Sequence, residues 1–373
     1  MLKVLEANVD DKNQGGVFAL IKEIILQKTD GIHIDVCSIE RFEGKENIEL
    51  LNKAGVKIFF VGYEGNKIKK QIKAINNEIL LYKEEGYDIV HIHADTAYRI
   101  LIYAIAAKQA GIRRIILHSH STGVEGKYKS LRRMIHILSR YLLPFFSTEY
   151  VACSDVAAKW MFGTTRRTVK IIYNGVDLTK FRFNQEARLQ ERKKLGVTKE
   201  YLIGHVGRFS YPKNHEYIIK IAAALKQKNV DDFKFLLIGT GPLYDPIKNL
   251  AKKLEVEDKM IFFGLSHEVP RLMQAMDLVV LPSRFEGFPL VGIEAQASGL
   301  PVIFSDKITK EIQITDNTEF LSISEDSIFQ WADEIIRLLK MSMNDRETAY
   351  TILKNKGYDI TETARQFSEL YNT

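Results

Sequence analysis

The chain of 373 residues carries 46% apolar and 27% charged side chains, and no run of 18 uninterrupted apolar residues, which excludes a disordered tract and a membrane-spanning protein. That length exceeds what one ordinary core supports and predicts two domains. The net charge of +6 is uneven, with 26 basic against 19 acidic residues through position 173 and 27 against 28 beyond. No nucleic-acid motif accompanies the excess, so an anionic membrane surface is the better partner for it.

Short apolar runs alternate with helical patterns along the whole sequence. The first strand, Lys3–Glu6, has no signal-peptide block before it, and Cys37 and Cys153 each sit beside an apolar run as buried reduced thiols. Both features predict a cytoplasmic protein. Strands follow at His33–Cys37, Lys57–Val61, Ile89–His93, Arg114–His118, Tyr150–Cys153 and Val169–Ile172, with helices at Val17–Gln27, Ile68–Glu84 and Tyr98–Ala110. After Tyr173 the scheme restarts with strands at Leu202–Gly207, Lys234–Gly239, Met260–Phe263, Leu278–Leu281 and Pro301–Phe304. Helices His215–Gln227, Tyr244–Leu254 and Val269–Met276 separate them. Alternation of this kind predicts an α/β protein of two doubly wound parallel sheets. The turn Asn174-Gly175-Val176-Asp177 is the favoured boundary.

In the first half, Gly15 and Gly16 open a helix after strand one, either as a flexible turn or as a backbone cradle for an anion or sugar. His91 and His93 end one strand, and His118 and His120 the next, each pair on one strand face. Without a Cys or carboxylate ligand pattern they read as hydrogen-bonded residues and not as a metal centre. Residues 127–143 form a basic amphipathic helix with a stripe of Leu131, Ile135, Leu138 and Leu142. It packs on the core, or it docks on anionic lipid with a second cluster at Lys67, Lys69, Lys70 and Lys73. Ser154 caps a helix that starts at Asp155.

In the second half, the strand ending at Gly207 is followed by Arg208 and, five residues on, Lys213, two cations that can neutralise a diphosphate. Gly239-Thr240-Gly241-Pro242 fails as a dinucleotide fingerprint, because Pro242 and Tyr244 break the pattern. Phe263-Gly264-Leu265 ends another strand. The segment Arg284–Pro301 places Glu286 in the loop after a strand and Glu294 one turn inside the helix Leu290–Ser298, which Gly299 and Pro301 close. Strand ends of open α/β sheets bind ligands, and the start of that helix suits a phosphate. The last helix, Ile360–Tyr371, carries an apolar stripe.

The two glutamates separated by seven residues, with Gly287-Phe288-Pro289 after the first, resemble the corresponding element of retaining glycosyltransferases of family 4. Gly207-Arg208 with Lys213, and Tyr173-Asn174-Gly175-Val176-Asp177 before Phe181, are similar to the diphosphate clamp and the interdomain hinge of the same family. The resemblance implies the GT-B fold, two Rossmann-like domains facing a central cleft. Residues 1–173 with a terminal helix from about 355 would bind the acceptor, and 174–354 a nucleotide-sugar donor. It implies catalytic roles for His120 (with His118 as the other register), Arg208, Lys213 and Glu286. Donor contacts would come from Gly15, Gly16, Gly207, Gly241, Gly264, Leu265, Gly287, Phe288, Pro289, Leu290 and Glu294. No Asp-x-Asp triplet occurs, so no metal and no other cofactor is expected. The implied reaction moves a hexose or N-acetylhexosamine, from a uridine diphosphate sugar, to a saccharide on a polyprenyl diphosphate carrier in capsular or extracellular polysaccharide assembly. A nucleotide-sugar 2-epimerase and a non-catalytic nucleotide-sugar sensor share the architecture. A nicotinamide-dependent oxidoreductase is disfavoured by the broken glycine pattern.

Overall fold

The computed structural model describes residues 1–11, 16–27, 31–62, 67–124, 128–164, 167–341 and 346–373, and the side chains of 67–74 lie outside that description. Gly15 and the lysine cluster at 67–73 therefore fall outside the described residues or side chains. The chain divides into two compact units, Met1–Gly175 with Ile360–Thr373, and Val176–Asp359.

The first unit holds seven strands, β1 (Leu2–Ala7), β2 (Ile32–Ser38), β3 (Ile58–Phe60), β4 (Ile89–Ala94), β5 (Arg114–Ser119), β6 (Glu149–Ala152) and β7 (Val169–Ile171). They pair in parallel in the order β3-β2-β1-β4-β5-β6-β7. Strands covered on both faces must be apolar along their length, and Val4, Leu5, Ile89, Val90 and Ile92 are fully buried. The terminal helix Ile360–Asn372 belongs to this unit. Its stripe of Ile360, Ala364, Phe367, Leu370 and Tyr371 joins Val4, Ile89 and Ile116 in one core. Each large side chain on it contributes about 2 kcal/mol of burial.

The second unit holds β8 (Tyr201–Val206), β9 (Phe233–Ile238), β10 (Met260–Gly264), β11 (Leu278–Leu281), β12 (Val302–Ser305) and β13 (Thr318–Leu321). Their order is β10-β9-β8-β11-β12-β13, again all parallel. The fold is thus two parallel-sheet α/β units, as the alternation predicts. β13 and the helices Gln185–Lys194, Ile328–Lys340 and Thr348–Asn355 were not expected from sequence. β13 is a four-residue edge strand interrupted by Glu319. Gln185–Lys194 has no apolar stripe. Asn184 caps it by accepting from Ala187 N–H at 2.8 Å, and Arg188 and Arg192 anchor it to Asp277 at 2.5 and 3.0 Å.

In each unit the strand order reverses once, between β1 and β4 and between β8 and β11. Loops leaving the two strands at such a point diverge and leave a crevice at the carboxyl ends. Among the described residues no helix is long and apolar enough to cross a membrane.

Candidate active site

In the second unit the loops after β8 and β11 meet at the reversal. Lys213, from the first loop, bonds Glu286, from the second, at 2.7 Å, and Ser283 donates to the other oxygen of Glu286 at 2.6 Å. The loops are laced together around this pair. Asn214 donates to Pro282 O at 3.0 Å, Arg284 N–H to Pro212 O at 2.7 Å, and the Arg284 guanidinium to Tyr211 O at 2.8 Å. Asn214 holds a left-handed backbone (φ +57°), which Asn tolerates better than most residues. Beneath Lys213 lies Gly207. A Cβ there would come within 3.2–3.3 Å of the Lys213 stem and His205 Nε2, so glycine lets the lysine lie along the loop.

Glu294 sits in the helix Leu290–Ala297, partly buried. Burial pushes its carboxyl up to about 7, and the charge of Lys213 pulls it partly back. Arg208 is exposed and has no ion-pair partner among the described residues. Gly241 and its neighbours approach the β8 loop closely. Phe209 N–H donates to Thr240 O at 2.9 Å, and a Cβ on Gly241 would reach within 2.6 Å of Phe209 O. Gly239 N–H donates to Gly264 O at 2.8 Å, so the ends of β8, β9 and β10 form one continuous rim.

In the first unit, Glu6 of β1, His91 and His93 of β4, His118 of β5 and His120, the residue just past its end, come together at one sheet face. Glu6 is bonded to His93 Nε2 at 2.5 Å and to the Tyr371 hydroxyl. His91 Nδ1 lies 2.7 Å from the Tyr371 hydroxyl, and His91 Nε2 3.2 Å from His118 Nδ1. His93 Nδ1 lies 2.8 Å from His120 Nε2. Burial opposes the charge on Glu6, but His91 and His93 hold its carboxyl well below the ordinary carboxylate range. Burial lowers His93 to about 4, with Glu6 offsetting only part, and carries His118 and His120 well below the ordinary range. The ring nitrogens of His91, His93 and His118 lie within 4.8 Å of one another, as metal ligands would. However, both nitrogens of His91 and of His93 already have hydrogen-bond partners within the protein.

The sequence matches the family of glycosyl transferases group 1 over residues 187–356 and Glycosyltransferase Family 4 over residues 26–180. EpsF of Bacillus subtilis (strain 168), which bears a glycosyltransferase name, is 33% identical over 330 residues, covering 87% of this chain and 84% of the relative. The chain is a family 4 glycosyltransferase. A UDP-Gal:α-D-GlcNAc-diphosphoundecaprenol α-1,3-galactosyltransferase of Escherichia coli is 26% identical over 334 residues, 85% of this chain and 84% of that one. Anabaena Alr3699/HepE, solved with UDP-glucose, superposes with a TM-score of 0.81 at 19% identity over the full length of both chains, which identifies the fold as GT-B.

The structure of this glycosyltransferase brings Gly207, Lys213, Glu286 and Glu294 to one reversal point, with Gly241, Gly264 and the exposed Leu265 on the adjoining rim. Gly287 and Pro289 are buried in the β11 loop, and Leu290 opens the helix. Phe288 is buried and stacks in parallel on Tyr358, centroids 6.0 Å apart, so it can offer a ligand only its backbone. Gly16 is the exposed first residue of its helix. Of the two histidine registers, His118 is fully buried and His120 partly exposed. Ser154 accepts from Ala157 N–H at 3.1 Å as a helix cap. Sequence reasoning missed Asn214, Ser283, Arg284, Glu6 and Tyr371. An Asn directly before a helix was the one local signal.

Proposed function

We propose that the enzyme transfers a hexose or N-acetylhexosamine from a UDP-sugar, with retention, to a hydroxyl of a saccharide carried on a polyprenyl diphosphate. The Lys213–Glu286 pair at the β8/β11 reversal, with Glu294 within electrostatic reach of the same lysine, is the observation that carries this reading. Glu294 binds the ribose hydroxyls, and Arg208 and Lys213 neutralise the departing diphosphate, the work a divalent ion does in metal-dependent transferases. The leaving diphosphate takes the acceptor proton on the same face, and His120 hydrogen-bonds the transferred sugar. The name of the Escherichia coli relative supports both the UDP-linked donor and the lipid diphosphate acceptor, and HepE was solved with UDP-glucose. The names of EpsF and of a protein in a Klebsiella pneumoniae cps region accord with polysaccharide assembly.

An acceptor on a lipid carrier requires contact with a membrane. The helix Lys129–Arg140 and the residues after it expose Leu131, Leu138 and Tyr141 at 50%, 60% and 74%, beside Lys129 and Arg133. His136 pins the opposite face, accepting from Ala97 N–H, donating to Trp160 O and stacking on the Trp160 ring. The apolar stripe thus faces solvent and not the core, and we assign it to the anionic inner face of the cell membrane.

The test is turnover of a panel of UDP-hexoses with and without a polyprenyl-diphosphate-linked saccharide, in the presence of chelator, with the product anomer read by NMR. Acceptor-dependent formation of an α-linked product from an α-linked donor is expected. Release of a free epimer, or turnover that chelator abolishes, would overturn the corresponding part of the reading.

A further inference from the structure

The histidine network has one member that can only accept, and that orients the bonds that reach it. Glu6 is ionised, so Tyr371 O–H donates to one of its oxygens and His93 Nε2–H to the other. His93 is neutral above its lowered range, so its Nδ1 is a lone pair. The partner of that lone pair, His120 Nε2 at 2.8 Å, must carry a proton. Neutral His120 therefore has its own lone pair on Nδ1, which has no partner among the described residues. The second arm is consistent. Tyr371 spends its proton on Glu6, so His91 Nδ1–H donates to the hydroxyl and His91 Nε2 accepts from His118 Nδ1–H. This leaves His118 Nε2 as the orphan, and it is buried without a hydrogen-bond partner among the described residues. A lone pair there costs less than an orphaned N–H, which is rare in buried sites.

We propose that Glu6 and His93 are positioning residues that hold His120 as its Nε2–H tautomer, so that Nδ1 is an acceptor for a sugar hydroxyl, with Tyr371 of the terminal helix securing the same carboxylate. The functional half rests on the sugar contact assigned to His120 above, and the tautomer half does not. The relay gives residues 365 positions apart in sequence a shared task. It also explains why a carboxylate is buried on the sheet face among imidazoles and a tyrosine hydroxyl. Selectivity follows: a group at the sugar that only accepts hydrogen bonds leaves Nδ1 unpaired and is disfavoured.

The experiment is long-range ¹H–¹⁵N correlation of the histidine rings in the full-length protein at pH 7.5, with His120→Gln identifying the His120 signals. The expected spectrum shows His120 protonated on Nε2 alone. His93→Phe should mix the tautomers, and Glu6→Gln should lower kcat/KM on the order of tenfold or more, the scale of one hydrogen bond to a charged group. An Nδ1–H tautomer or an imidazolium at His120 in the unmodified protein would overturn the relay, whatever the variants do. Full activity in His120→Ala with the expected spectrum would instead overturn the sugar contact and leave the relay standing.

Discussion

Glu294 is the side chain whose charge state the fold sets nearest neutrality, at about 7. A carboxylate accepts two ribose O–H groups, whereas the protonated acid loses one of those acceptors to its own hydrogen. Ionisation rises from about one tenth at pH 6 to nine tenths at pH 8, so UDP-sugar affinity is expected to rise about tenfold across that range. Calorimetric titration with UDP-glucose checks this, and Glu294→Gln should bind weakly with no slope. A flat profile in the unmodified enzyme would take Glu294 off the ribose. Lys213→Ala is expected to lower kcat on the order of 10²–10³-fold with a smaller change in KM, since its charge counts most as the diphosphate departs. A change confined to KM would reduce it to ground-state binding. Lys213, Glu286 and Glu294 were legible because their spacing is local. Asn214 and Arg284 were not, because their partners lie about 70 residues away and meet only once β8 and β11 pair across the sheet reversal. His120 and His118 differ by a single strand repeat, and burial alone separates them.

Most elements with a buried apolar stripe could be read from sequence, and those held by charge could not. Helix Ile328–Lys340 belongs to the first kind, although it was missed. Trp331 is fully buried in the core of the second unit and donates its indole N–H to Ser322 O at 2.7 Å. Trp331→Ala is expected to cost about 3–5 kcal/mol in urea denaturation, against less than about 1 kcal/mol for the exposed Phe329→Ala. Helix Lys129–Arg140 shows the converse, because its stripe was legible while the face it presents was not. Arg132→Gln with Arg133→Gln should weaken binding to phosphatidylglycerol vesicles by about 2 kcal/mol, roughly thirtyfold, and salt should do the same. Equal sedimentation with neutral vesicles would argue for a protein partner on that face, with self-association in gel filtration its first sign.

Across the whole molecule, buried ionisable groups of opposite sign shape how stability depends on pH. Burial lowers His93 and His205 to about 4, and His118, His120 and His215 well below the ordinary value. Between pH 4 and 6.5 the unfolded chain therefore binds more protons than the native one, and stability rises with pH. His93 and His205 each account for about 3 kcal/mol of that rise. Glu78, on helix Lys67–Glu85, works in the other direction. It is fully buried, neither carboxyl oxygen has a hydrogen-bond partner among the described residues, and burial carries it well above the ordinary range. Its neutral form supports the fold fully below the unfolded pKa of about 4.5, and that support erodes as pH rises towards the folded value. Where the histidines are neutral in both states, the fall in the contribution of Glu78 is what remains. Glu78→Gln removes the proton while losing no hydrogen bond. The variant should match the unmodified protein in acid and gain on it as pH rises above the unfolded value of Glu78, measured by thermal unfolding across pH. Parallel profiles for the two proteins would mean that Glu78 is already ionised in the native state, and that water reaches a site the fold closes off.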